Sequence, residues 1–132
     1  MPVWSSSEPY IIFNGYRIDV EIADTPEKWE QWLMYRNSLD KDKGMLFVFY
    51  EEDNYEFWMK NTYIPLDIIW INSENEIVDI VSLSACDWDN FERYNSFEKA
   101  SFVLEINRWL TKELWINIWD KIEFRGITFI NP

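Results

Sequence analysis

The residues able to do chemistry are few, and most crowd into one segment. Residues 57–67 read FWMKNTYIPLD, which sets Lys60, Asn61 and Thr62 between two strongly apolar stretches. Strand alternation places Phe57 and Met59 on one face and Trp58 and Lys60 on the other. Asp67 opens the apolar run IIW, so a carboxylate there enters the interior and needs a partner. Glu105 shows the same oddity, because it shares a strand face with Val103. Arg36, expected at the end of a helix, supplies a further cation. Asp67 or Glu105 beside Lys60 or Arg36 would make a ligand site or a hydrolase with perturbed carboxylates. The same groups could equally form ion pairs and turn-capping bonds that fix strand register. A glycosidase would need two carboxylates about 5 to 9 Å apart, and nothing in the spacing selects Asp67 and Glu105 for that role.

Met34, Met45, Met59 and Cys86 are soft ligands of the kind copper(I) takes. No Met-x-x-Met cluster accompanies them, and Met and free Cys are ordinary core fillers. Asp87 and Asp89 beside Cys86 disfavour an anionic sulfur. The expectation is therefore no metal and no cofactor.

Composition narrows the field. The chain of 132 residues is long enough for one domain, and 48% hydrophobic residues can form a core. Twelve Lys and Arg against twenty-four Asp and Glu give a formal charge of -12. Nucleic-acid affinity draws on cation-driven counterion release, and anionic membranes attract basic segments, so neither is an expected partner. There is no His, which removes imidazole as base, ligand or pH switch. A single Cys rules out an internal disulfide or a CxxC zinc site. Neither a Gly-rich phosphate loop nor a G-x-S-x-G elbow is present. Aromatic residues, at 19%, leave sugar stacking open, although alternation points most rings inward. No apolar run reaches membrane-spanning length, and the first residues lack the pattern of a signal peptide. A cytoplasmic protein is expected as the chain stands, or an exported one if a signal once lay upstream.

The elements that must position these residues are short. Residues 1–10, with three serines before Glu8 and Pro9, read as a flexible lead-in to one domain over 11–132. Residues 11–13 and 16–22 flank Asn14-Gly15, a strong hairpin signal because both turn residues need positive φ. Thr25, Pro26 and Glu27 cap and open a helix expected to run to about Tyr35. Residues 45–50 read as a central strand. Further strands are expected at 55–60, 68–71, 77–83 and 101–106, with a bend at 61–65 and a long acidic loop over 85–98. Residues 111–114 suit a second short helix. Residues 121–124 and 127–130 suggest a last hairpin around Arg125-Gly126. This pattern predicts a mainly β domain, an antiparallel sandwich or barrel with one or two short helices. No internal repeat and no linker interrupts it.

VEIADTPE, LMYR, GMLFVF, FWMKNTYIPLDIIWI and VLEIN occur in this order, and by them the chain resembles the domain-of-unknown-function family 192 over residues 18–124. That resemblance implies a single mainly β domain whose activity is not established, in a family many of whose members carry an export signal. Its recurrent polar positions fall on Arg36, Lys60, Asn61, Thr62, Asp67, Cys86 and Glu105. The Pro usual before the Cys is Ala85 here. The resemblance also implies glycines where this chain has Trp32, Trp109, Trp115 and Trp119, while Trp29, Trp58 and Trp70 fit as Trp. Gly is only 3 and Trp is 9, against about 9 Gly at ordinary usage. One expectation is that these tryptophans are UGA codons of a source that reads UGA as Gly, with Trp4 and Trp88 as further cases. The other is genuine divergence with repacking around the added rings.

Two function classes remain. The favoured one is a non-catalytic binding or accessory module for a small ligand or partner. The second is a hydrolase that uses Glu105 or Asp67 with Lys60 or Arg36.

Overall fold

The computed structural model describes residues 2–4, 9–31 and 33–129. Short strands β1 (Pro2–Trp4), β2 (Tyr10–Phe13) and β3 (Tyr16–Ala23) lead to helix α1 (Pro26–Gln31). Strands β4 (Lys43–Asp53), β5 (Glu56–Trp58), β6 (Leu66–Ile71) and β7 (Ile77–Leu83) follow. After β8 (Arg93–Asn95) and β9 (Ala100–Asn107) come helix α2 (Leu110–Glu113), β10 (Glu123–Arg125) and β11 (Ile127–Phe129). A seven-stranded sheet in the order β10-β2-β3-β4-β9-β6-β7 curls into a half-barrel, flanked by the two-stranded pairs β1-β11 and β5-β8.

Local chemistry explains much of this. Asn14 (φ 45°) and Gly15 (φ 81°) both take the left-handed backbone, so β2 and β3 close as the expected hairpin. The Thr25 carbonyl accepts from Trp29 N at 2.9 Å, and its Oγ1 from Lys28 N at 3.4 Å, starting α1. The helix ends at Gln31 rather than near Tyr35. β4 is the long inner strand that its two-sided apolar sequence implies, buried from Gly44 to Phe49. A Cβ on Gly44 would stand 2.9 Å from the Glu105 carbonyl oxygen and 3.0 Å from Ile106 Cγ2, so β4 and β9 meet there only because Gly44 has no side chain.

The structure corrects several expectations. The sheet is mixed, because α1 carries the chain across so that β4 lies parallel to β3. The expected last hairpin does not form. Gly126 (φ 71°) turns the chain from one sheet to another, so β10 pairs with β2 and β11 with β1. The 85–98 segment is not wholly loop, since β8 lies in it and pairs with β5. Within the expected lead-in, Pro2–Trp4 forms a strand and Tyr10 opens β2, while residues 5–8 lie outside the described residues.

Each sheet face carries its own core. Leu46, Val48, Ile69, Ile71, Leu104 and Ile106 bury one face beneath Leu110 of α2. Met45, Phe47, Ile68, Trp70 and Val103 bury the other beneath α1 and the β5-β8 arm. Burial at this scale contributes on the order of 1.5–3 kcal/mol per large side chain. Trp70 is fully buried and donates its Nε1–H to the Tyr55 carbonyl at 3.0 Å, which ties the arm to the sheet.

Four tryptophans break the backbone rule for bulky residues. Trp88, Trp109, Trp115 and Trp119 have φ of 54°, 74°, 57° and 76°. Trp29, Trp58 and Trp70 are absent from the left-handed region. Trp32 lies outside the described residues.

Candidate functional site

Between α1, β4 and the arm, the second core leaves a cleft of about 330 Å³. Its wall is aromatic: Trp29, Phe47, Phe49, Tyr55, Phe57 and Trp58. Strand alternation on β4 places Phe47 and Phe49 on this face with Met45. The rings brace one another. Phe49 stacks on Tyr55 at 3.7 Å and tilts against Trp29 at 4.9 Å, and Phe47 meets Phe57 edge-on at 4.9 Å. The Trp29 indole N–H donates to the Ala23 carbonyl at 3.0 Å, which fixes its plane.

Glu105 is the deepest polar group of this cleft. On β9 it lies opposite Met45 of β4 and Ile68 of β6, so its side chain leaves the sheet on the aromatic side. It is 5% exposed. No described residue gives it a hydrogen bond or an ion pair. Burial pushes its pKa up to about 8, so at neutral pH it is a carboxylic acid with a proton to donate. Glu30 and Glu56 stand at the rim, and among the described residues no Lys or Arg lines the cleft.

Asp67 faces the other way. It pairs with Ile106, the residue after Glu105, and adjacent residues of a strand point to opposite faces. Asp67 is fully buried but fully occupied. Its Oδ1 accepts from Ser82 Oγ at 2.5 Å and Trp109 N at 3.1 Å. Its Oδ2 accepts from Thr111 N at 2.9 Å and Thr111 Oγ1 at 2.7 Å. The carboxylate thus holds the start of α2 against β6 and β7.

The expected cluster of Arg36, Lys60, Asp67 and Glu105 therefore does not assemble. Arg36 pairs with Glu21 at 3.0 Å on the surface. Lys60 is exposed, with its ammonium 5.6 Å from the Trp58 ring. Sheet register separates the two carboxylates, so neither a glycosidase pair nor an acid–cation pair is formed. Asn61, Thr62 and Cys86 are brought together, as braces. Asn61 (φ 55°) accepts from Tyr35 N at 2.8 Å and donates its Nδ2–H to Tyr35 Oη at 2.9 Å. The Thr62 carbonyl accepts from Cys86 N at 2.7 Å, and Thr62 Oγ1 donates to the Lys60 carbonyl at 3.1 Å. Thr62 also lines the cleft, as does Met34. Met45 and Met59 are fully buried. Among the described residues, no group of three or more His, Cys, Asp or Glu gathers as metal ligands, and no helix is long and apolar enough to cross a membrane.

Sequence reasoning missed Asp79. It is buried on β7, where it accepts from Ile80 N at 2.9 Å, Tyr94 Oη at 3.1 Å and Phe97 N at 3.3 Å, pinning the 85–98 segment. The signal was an acid within the apolar run IVDIV. It missed the cleft as well, because the aromatics converge from separate elements.

The family model described as "Uncharacterized ACR", DUF192, matches residues 11–124. A solved structure from Sinorhizobium meliloti 1021, named provisionally as a transcription regulator, superposes with a TM-score of 0.79 at 35% identity, covering 94% of this chain and 98% of that one. A protein of unknown function from Novosphingobium aromaticivorans DSM 12444 superposes with a TM-score of 0.77 at 29% identity, over 93% and 92% of the two chains. Cyclin-B2-2 of Arabidopsis thaliana is 30% identical over an alignment of 121 residues that covers 86% of this chain; the chain spans 27% of that curated relative.

Proposed function

The chain belongs to the DUF192 family, and from that premise we propose that it is a non-catalytic binding module that seats a small ligand in the aromatic cleft over Glu105. The observation that carries this reading is the buried Glu105 carboxyl, without a partner among the described residues, in a cleft walled mainly by aromatic rings. A buried polar group normally has a partner, and a ligand is the partner that an open cleft admits. The size lies at the lower end for small-molecule sites, and an apolar wall with few polar groups is their usual make-up. The hydrolase reading built on Asp67, Lys60 and Arg36 lacks support, since Asp67 faces the other side of the sheet and neither Lys60 nor Arg36 is among the described residues that line the cleft. A transcription-regulator role, the provisional description of the Sinorhizobium protein, meets a formal charge of -12 that opposes contact with DNA phosphates.

The test is to titrate hydrocinnamyl alcohol, phenethylammonium and hydrocinnamate into the protein while following its amide NMR spectrum. The reading predicts a saturable shift from at least one probe, centred on Phe57, Thr62 and Glu105. No shift from any of the three, or shifts centred elsewhere, would overturn it.

A further inference from the structure

The cleft's chemistry selects among ligands. We propose that the cleft takes an organic cation, a protonated amine on a flat or short apolar body, and this rests on the cleft being a ligand site. Among the described residues, six aromatic side chains and three carboxylic groups line it, with no cation among them. Ring faces attract cations electrostatically, and more strongly where water is excluded. Glu105 lines the same cleft, close to sealed from solvent and without a partner among the described residues. Glu30 from α1 and Glu56 from β5 add negative charge at the mouth. Lys60 and Arg93 sit over Trp58 at 5.6 and 5.8 Å, and neither lines the cleft. An anionic ligand would meet the two rim carboxylates and no lining cation among the described residues. A neutral one would leave the rim carboxylates unmatched.

Binding of an amine has a proton signature. The ammonium favours ionised Glu105, so the Glu105 carboxyl loses its proton to solvent as the ion pair forms, and the amine keeps its own. Calorimetry of phenethylammonium in buffers of different ionisation enthalpy should show about one proton released per site at roughly pH 6–7. Hydrocinnamyl alcohol, of similar shape, should bind about tenfold or more weaker and release none. Glu105→Gln should abolish the release and the preference, while the folded amide spectrum persists. If the alcohol binds as well as the amine, or if the amine releases no proton, the cation assignment fails while the cleft remains a ligand site. If the amine, the alcohol and hydrocinnamate all fail to bind, both readings fail.

The left-handed tryptophans carry a second inference, independent of the cleft. We infer that Trp88, Trp109, Trp115 and Trp119 stand at positions built for glycine and are encoded by UGA codons that the source reads as Gly. Trp115 follows α2 at the C′ position. Trp115 N donates to the Lys112 carbonyl at 3.3 Å and Ile116 N to the Thr111 carbonyl at 2.9 Å, the paired bonds of a Schellman motif. Trp119 is the third residue of the turn closed by Asp120 N and the Asn117 carbonyl, where a positive φ calls for Gly. Trp88 is the second residue of the turn closed by Asn90 N and the Asp87 carbonyl, the Gly position of a type II′ turn. Trp109 precedes α2 in the left-handed region. Trp88, Trp109, Trp115 and Trp119 are 93%, 47%, 81% and 61% exposed. Trp109 alone meets cations, Arg108 at 4.3 Å and Lys112 at 5.2 Å. Tyr35 shares the conformation but is held by two bonds to Asn61. The gene sequence together with the intact mass of protein from the source organism decides the matter. UGA at these codons, with a mass lower by the Trp-to-Gly difference at each, is expected. UGG codons, or the full tryptophan mass, would overturn it.

Discussion

Asp67 and Glu105 are buried carboxyl groups on neighbouring strands, β6 and β9, and the sheet between them gives them opposite environments. On one face Asp67 gathers bonds from two backbone N–H groups and two hydroxyls, so both of its oxygens are occupied where it lies. On the other Glu105 gathers none and is kept protonated by burial, with a cleft above it. The contrast teaches that burial of an acid is not by itself the mark of a site. What separates a structural clasp from a binding group is whether the fold supplies the partners.

The largest expected effect comes from breaking the clasp. Asp67→Ala leaves the Trp109 and Thr111 amides and the Ser82 and Thr111 hydroxyls without their acceptor. It should destabilise the protein by about 3–5 kcal/mol, read from urea unfolding. A loss below about 1 kcal/mol would mean that the junction is not what anchors α2.

Glu105→Gln should act in the opposite sense and depend on pH. The folded pKa of about 8 lies above the ordinary 4.5, so the native state holds a proton that the unfolded state releases. That contribution is fully present below about pH 4.5 and is lost as pH rises through about 8. The wild type should therefore lose stability on the order of a few kcal/mol across that window, and the Gln variant should not. Unfolding curves at both ends measure the difference. Parallel losses in the two proteins would remove Glu105 as their source.

Arg36→Ala sharpens the comparison by its smallness. The ion pair with Glu21 is exposed, so stability should change by no more than about 0.5 kcal/mol, and probe binding in the cleft should not change. Weaker binding of phenethylammonium would bring Arg36 back into the site.

The two carboxyls also show where sequence reasoning reaches its limit. Both stood out because an acid in an apolar strand must be explained. Their separation was not legible, since it depends on Asp67 meeting Ile106 across β6 and β9, a pairing between residues far apart in the chain. The Asn14-Gly15 hairpin and the start of α1 at Pro26 were legible because each follows from neighbouring residues alone. The parallel β3-β4 pair was not, because nothing local distinguishes a crossover from a reversal once the intervening helix is only six residues long. Phe57 was visible as a strand residue, but its meeting with Phe47 from β4 required the arm to fold over the sheet. The left-handed tryptophans run the other way: the composition was odd before any backbone angle was known, and the angles fall where glycine would be placed.

The most direct measurement is a carboxyl-carbon NMR titration of the ligand-free protein, with Glu105→Gln identifying the resonance. The account predicts that Glu105 titrates at about 8, as an uncharged acid at neutral pH. A midpoint near the ordinary 4.5 would show a carboxylate already solvated or partnered, and would contradict the claim that this group waits for a ligand.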